Sequence, residues 1–466
     1  MSIPAERARM FRMKKREVIA TLSVVALIVL VSCSGGNPPD DSSNMPSDPA
    51  GSCFAFRQYG NLQGKSVTVY TSILSPEDQS HIDSFKPFEK CTGAKINYEG
   101  SHEFESQLPL KIEAGSSPDI AYLPQPGLLK TLLARHSGKI KEVSGQALSN
   151  LEENYRQAWK DYGSADGKVY AVPVGASVKS FVWYSPKTFT DNGYQVPKTW
   201  DDLMILTEKI SSDHPDAKPW CAGIESGSST GWPATDWLED TMLRTAGPDA
   251  YDQWVTHQIP FNDPKVVTAL DQAGGILKND AYVNGGLGGI RSIRTTAVGE
   301  AGLPVLEGTC FLHHQASFYQ VNWPAGTKIA EDGDVFAFYL PGSTETDRPV
   351  LVGGEFAAAF SDREEVKAFQ AYLTSPEFSN AKAQATGPGW VSANRKLDPA
   401  NLSSPVDRLS YQLISDENNV LRFDGSDQMP GTVGTATFWT GMTDWISLNK
   451  SSQDILTEIE NSWPDK

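Results

Sequence analysis

The chain has 466 residues, with 57 Asp and Glu against 40 Lys and Arg and a formal net charge of −17. That acidity sets the protein against phosphate backbones and anionic lipid surfaces, so nucleic-acid binding is not expected. The length exceeds what one hydrophobic core usually serves, and two domains or lobes are expected.

At the N-terminus, Arg7, Arg9, Arg12, Lys14, Lys15 and Arg16 precede an apolar run from about Val18 to Val31, the pattern of a secretory signal. The run is shorter than the roughly 20 apolar residues that cross a bilayer. It ends in Leu30-Val31-Ser32-Cys33, which resembles a bacterial lipobox. Residues 1–32 are therefore expected to be removed, leaving Cys33 as a lipidated mature N-terminus anchored through its acyl chains. Their loss takes away six Lys/Arg and two Asp/Glu and moves the formal charge to −21. The rest of the stretch 33–52 is rich in Ser, Pro, Gly and Asp, too poor in apolar residues to order itself, and reads as a tether.

Four cysteines remain, Cys53, Cys91, Cys221 and Cys310, an even number suited to an oxidising compartment. Three pairings are possible. Cys53 with Cys91 and Cys221 with Cys310 are favoured, because each then closes a loop within one half of the chain. The seven His show no metal spacing beyond the adjacent His313-His314, and neither a metal nor a cofactor is expected.

The body opens with a β-branched strand, Ser66 to Tyr70, followed by Ser75-Pro76-Glu77-Asp78, a helix-start signature. Ile82, Phe85 and Phe88 then recur at helical spacing. A second strand follows at Gly93 to Glu99, a helix from Phe104 to Ala114 and a third strand at Ile120 to Leu123. Strand, helix, strand, helix, strand implies a parallel sheet with helices packed on it, and ligands collect beyond the carboxyl ends of such strands. A second block begins with strands at Val169–Val174 and Phe181–Tyr184, then a capping box at Thr199 leading a helix through Ile210. Val335–Pro341 and Gly353–Phe360 are strand-like.

Several stretches in this order carry a resemblance: Phe88-Glu89-Lys90 before Thr92-Gly93, Ala114-Gly115-Ser116-Ser117-Pro118-Asp119-Ile120, Tyr170-Ala171-Val172-Pro173, Trp183-Tyr184-Ser185-Pro186 and Pro197-Lys198-Thr199-Trp200. With the lipobox and tether, the set resembles the extracellular solute-binding lipoproteins that deliver carbohydrates to ABC importers, the family that includes maltose-binding protein. Met429-Pro430, followed eight residues later by Phe438-Trp439, is similar to the segment that presents a sugar-stacking Trp in that family. Gly231-Trp232-Pro233-Ala234-Thr235-Asp236-Trp237 and Pro124-Gln125-Pro126-Gly127 look most like its α-glucoside subgroup.

The resemblance implies a class II periplasmic-binding-protein-like α/β fold, two α/β lobes joined by a hinge with the ligand cleft between them. Lobe 1 would comprise residues 53–176 plus 338–390, and lobe 2 residues 177–337 plus 391–466. The chain would cross near Gly175–Val178, Val335–Leu340 and Gly387–Trp390. It also implies a monomer without catalytic residues, lying outside the cytoplasm and handing a small carbohydrate to ABC permease subunits.

A neutral sugar needs aromatic planes for its C–H faces and acceptors for its hydroxyls, since a polar group buried without a partner costs about 1–3 kcal/mol. The candidate ligand residues are His102, Glu103, Glu105, Gln125, Trp232, Asp236, Trp237, Gln315, Gly389, Trp390 and Trp439. Trp232 and Trp237, five apart, cannot both face one way from a regular helix. Two alternatives stay open at this stage: a lipid-anchored glycoside hydrolase using two of the acids, or a receptor for a non-sugar solute.

Overall fold

The structure is a computed structural model that describes residues 52–464 apart from 76, 102 and 286. The signal, Cys33, most of the tether and His102 lie outside the described residues. No helix among the described residues is long and apolar enough to cross a membrane.

The strands, in chain order, are β1 (Ser66–Thr71), β2 (Lys95–Gly100), β3 (Ile120–Leu123), β4 (Ser164–Ala165), β5 (Lys168–Val169), β6 (Ala171–Pro173), β7 (Ser177–Val178) and β8 (Phe181–Tyr184). They continue with β9 (Lys218–Cys221), β10 (Cys310–His314), β11 (Phe336–Tyr339), β12 (Pro349–Gly353), β13 (Phe356–Ala359) and β14 (Val420–Phe423).

The first lobe is built on the sheet β2-β1-β3-β13-β6. Its β1 runs parallel to both β2 and β3, as alternating strands and helices predict, while β13 is antiparallel to β3 and β6 and makes the sheet mixed. Val67 and Val69 fall on one buried face of β1, as a period of two requires. Against this sheet, helix Asp78–Thr92 buries Phe85 and Phe88, whose rings pack 5.1 and 5.4 Å from Phe369. The Cys53–Cys91 disulfide ties the segment before β1 to the end of that helix.

The second lobe is built on the sheet β11-β8-β10-β9, with Trp183 and Trp220 among the fully buried side chains of its core. Helix Trp200–Asp213 starts in the expected capping box, with Thr199 and Asp202 exchanging side-chain-to-backbone bonds. Cys221–Cys310 joins the neighbouring strands β9 and β10, so both disulfides pair as expected.

Three segments lie side by side between the two sheets. The N–H of Val174 donates to Glu355 O at 2.9 Å, that of Ala176 to Val391 O at 2.9 Å and that of Lys179 to Leu351 O at 2.8 Å. A small sheet, β14-β12-β7, completes the junction. Here the expected middle crossing is corrected. Residues 336–339 are not a crossing but the edge strand β11, paired antiparallel to β8 and fastened by the Phe338 and Tyr184 rings at 5.5 Å. A boundary at 338 therefore cuts that strand, and the chain reaches the first sheet only through Gly353-Gly354-Glu355. Gly354 must lack a side chain, because a Cβ there would sit 2.3 Å from the carbonyl oxygen of Gly175 in the adjacent crossing.

Candidate functional site

A cavity of about 640 Å³ lies over the crossing segments, with walls from both lobes. Glu103, Glu105 and Gln125 face it from loops and helix starts beyond β2 and β3, the carboxyl ends of the first sheet, where an α/β sheet places its ligands. Trp232, Trp439 and Asp427 face it from the second lobe, and Ser177, Lys179 and Glu355 form its floor.

Trp232 reaches the cleft because helix Trp232–Thr245 begins there. Gly231, at φ 114°, turns the chain into the helix, and Pro233 suits the first turn, where N–H groups have no intrahelical partner. Its ring lies 6.0 Å from Phe318 and 5.0 Å from the ammonium of Lys179. Trp439 opens helix Trp439–Ser447 from a distant part of the chain, and its indole N–H donates to Ser426 Oγ at 3.4 Å. A Cβ on Gly231 would stand 2.2 Å from the Trp439 carbonyl oxygen, so the two tryptophan-bearing helix starts touch backbone to backbone.

Further along the same helix, expectation and structure part. Trp237 is corrected from platform to core: five residues on from Trp232, it turns away from the cleft and packs 5.2 Å from Trp220 and 4.5 Å from His314. Asp236 is likewise not a lining acceptor. Its carboxylate is buried and takes the Lys179 ammonium at 2.9 Å. Gln315 is also internal, its Oε1 accepting from the N–H of Ala316 at 2.8 Å and its carbonyl from the Trp183 indole at 3.0 Å. Gly389 and Trp390 line a neighbouring cavity rather than this one.

Lys179 was not foreseen, and it organises the floor. It pairs with both Asp236 and Asp424, while Glu239, one turn on from Asp236, accepts the N–H groups of Gly425 and Ser426 at 2.8 and 2.9 Å. Asp240 pairs with Arg244 at 2.5 Å and His314 at 2.8 Å and accepts from Ser180 Oγ at 2.6 Å. One face of the helix thus clamps the crossing segment Lys179-Ser180 and the turn Asp424–Gln428 that carries Asp427. Burial raises the carboxyl of Asp236 well above its usual range despite Lys179, whereas Asp424, also pushed up by burial, is held below it by the same ammonium. Single oxygens of Asp236, Glu239 and Asp424 come within 4.8 Å of one another, a metal-like grouping, but Lys179 and the two backbone N–H groups already engage all three residues.

Asp424, Ser426 and Asp427 and the Glu225–Ser229 turn also line the cleft, though they are not among the residues the sequence singles out as contacts. A signal existed for each: a turn run just before Met429-Pro430, and the Gly/Ser run that precedes Trp232.

Carboxylates and serine hydroxyls make up most of the polar lining of this cavity, and burial raises the carboxyl of Glu105 against the pull of its own backbone N–H and of Gln125. Two aromatic planes among acceptors suit a ligand with many hydroxyl donors and C–H faces. Two α/β lobes, three crossing segments and such a cleft define a two-lobed solute receptor.

The bacterial extracellular solute-binding protein family matches residues 76–378. The chain is 38% identical to the osmoprotective compounds-binding protein GgtB of Synechocystis sp., over 95% of this chain and 98% of that one. It is 37% identical to the alpha-glucosides-binding periplasmic protein AglE of Rhizobium meliloti, over 88% and 89%. A maltose-bound T. maritima MalE3 structure shares the fold, with a TM-score of 0.64, 15% identity and coverage of 85% and 98%. The chain belongs to the bacterial extracellular solute-binding protein family. Its family and these relatives are solute-binding proteins and not enzymes.

Proposed function

We propose that the cleft captures an α-glucosidic di- or oligosaccharide, or a glucoside, and that Trp232 and Trp439 stack on its rings while Glu103, Glu105, Gln125 and Asp427 take its hydroxyls. The carrying observation is that two tryptophans about 200 residues apart in sequence open onto one cavity lined by acceptors. The α-glucoside binder among the relatives supports the same ligand class. The acidity of the cleft disfavours an anionic solute. The protein works as a monomer outside the cytoplasm, held at the outer face of the cell membrane by a lipid on Cys33, and hands its ligand to the transmembrane permease subunits. A ligand favours the closed receptor only to the extent that it binds both lobes at once.

Titration by tryptophan fluorescence and calorimetry with trehalose, maltose, maltotriose, sucrose and glucosylglycerol, with lactose and cellobiose as β-linked controls, tests the reading. Saturable binding of an α-linked sugar, lost in Trp439→Ala, is the expected result. Silence across the panel overturns the α-glucoside assignment.

A further inference from the structure

The charged side chains that line the cleft are almost all of one sign: Glu103, Glu105, Glu225, Glu355, Asp424 and Asp427 against Lys179. That lysine is already committed, since it pairs with Asp236 and Asp424. Glu105 and Asp427 stand on opposite lobes, the first on helix Phe104–Glu113 and the second on the turn after β14, and neither forms an ion pair among the described residues. Burial and then the charge of Asp424 raise the Asp427 carboxyl well above the carboxylate range, with Lys179 opposing and Asp236 and Glu105 adding to the rise. Like charge therefore already acts across the cleft, from one lobe on the other.

Gln125 points the same way independently. Burial raises the Glu105 carboxyl while the Gln125 amide pulls it back, which sets the N–H side of that amide toward the carboxylate. The other side, Oε1, is left without a donor on a residue that lines the cavity and is only 6% exposed. The serine hydroxyls of the lining can donate, but they carry no charge. A neutral glycoside that closed the lobes would strip water from Glu105 and Asp427 without offsetting their charge. An ammonium supplies three N–H donors and a positive charge, and has no acceptor of its own to satisfy. We infer that the ligand is a basic glycoside, an amino sugar whose ammonium sits between Glu105 and Asp427 beside Gln125 while its rings lie on Trp232 and Trp439. The inference rests on the saccharide reading of the cleft and narrows it. Because the ammonium meets carboxylates of both lobes, it adds to the preference for closure as well as to affinity.

Calorimetry on the full chain in detergent at neutral pH tests it, with trehalose and maltose, the trehalosamines that carry an amine in place of one hydroxyl at C2, C4 or C6, and their uncharged N-acetyl forms. At least one amine is expected to bind about tenfold or more tightly than trehalose and than its own acetylated form, as a charge-assisted hydrogen bond in place of a neutral one implies. Glu105→Gln and Asp427→Asn, close in shape but uncharged, should each bring that ratio toward one. Asp332→Asn, at a carboxylate 81% exposed that lines neither cavity between the lobes, should leave the ratio as it is. If trehalose or maltose binds and no amine improves on it, or if the improvement survives in both carboxamide variants, the basic-glycoside inference is overturned and the saccharide reading stands. If Ca²⁺ alone binds and Glu105→Gln abolishes that binding, the carboxylates hold a metal ion and the inference is overturned likewise. If no sugar of either series binds, both readings fall.

Discussion

The ammonium of Lys179 sits 2.9 Å from the carboxylate of Asp236, and both side chains are buried beneath the ligand cleft. The pair joins a segment that crosses between the lobes to the helix that presents Trp232, so the hinge and the ligand wall meet in one ion pair. Removing one partner of a buried pair leaves an uncompensated charge and costs about 3–5 kcal/mol. Lys179→Met, which strands Asp236 and Asp424 together, should therefore lower unfolding stability by that order in a urea titration. Asp236→Asn should cost less, because Lys179 retains Asp424.

The tryptophans separate binding from folding. Trp232→Ala and Trp439→Ala are expected to weaken ligand binding by about thirtyfold, or ~2 kcal/mol, Trp232→Ala with little loss of stability and Trp439→Ala with a loss of its own, since that ring is also buried. Trp237→Ala should do the reverse, costing about 3–5 kcal/mol of stability because it hollows the core beside Trp220 and His314. Paired calorimetric binding and thermal unfolding of the three variants checks both halves.

Gly231 carries a double constraint, a left-handed backbone and contact with the Trp439 carbonyl. Gly231→Ala should lose about 2 kcal/mol or more and weaken ligand binding, since the start of the Trp439 helix must shift. Gly167→Ala is the control, with a φ of 75° but nothing within 4 Å of the added Cβ. Its cost should stay near 1 kcal/mol in the same melting assay, with ligand affinity unchanged.

Asp407 links the third crossing to the second lobe, accepting from the Gly389 N–H and from Gln320. Burial, only partly opposed by those bonds, raises its carboxyl from 3.8 to about 7. The protonated form therefore favours the folded state. That contribution is full below 3.8 and is lost as pH rises through 7. Asp407→Asn keeps an acceptor for both donors and removes the titration. Its stability relative to wild type should rise between pH 4 and pH 8 by roughly 3 kcal/mol, read from urea midpoints across that range.

The features legible in the sequence are those that a few neighbouring residues decide. Thr199 and Asp202 make their capping box from three residues of separation, and the helix over Phe104–Glu113 was expected within one residue of its observed end. Ser75-Pro76 signals a start too early, since the helix begins at Asp78. Residues 336–339 read as a strand, but their own sequence does not separate a crossing from the edge of the second sheet. Which neighbour the strand pairs with depends on β8, some 150 residues earlier.

By itself the sequence determined the acidic charge, the order of strands and helices and the aromatic and acidic residue types available to a cleft, because composition, periodicity and capping act over short stretches of chain. Only the tertiary structure decided which of those residues face the cleft. Trp232, Asp236 and Trp237 share one turn and a half of helix, and sequence cannot say which angle of that helix meets solvent until Lys179, Trp220 and Trp439 arrive from elsewhere to occupy the others. A buried charge must find its partner and an apolar ring must find its core, and both conditions are met between segments the chain order keeps far apart.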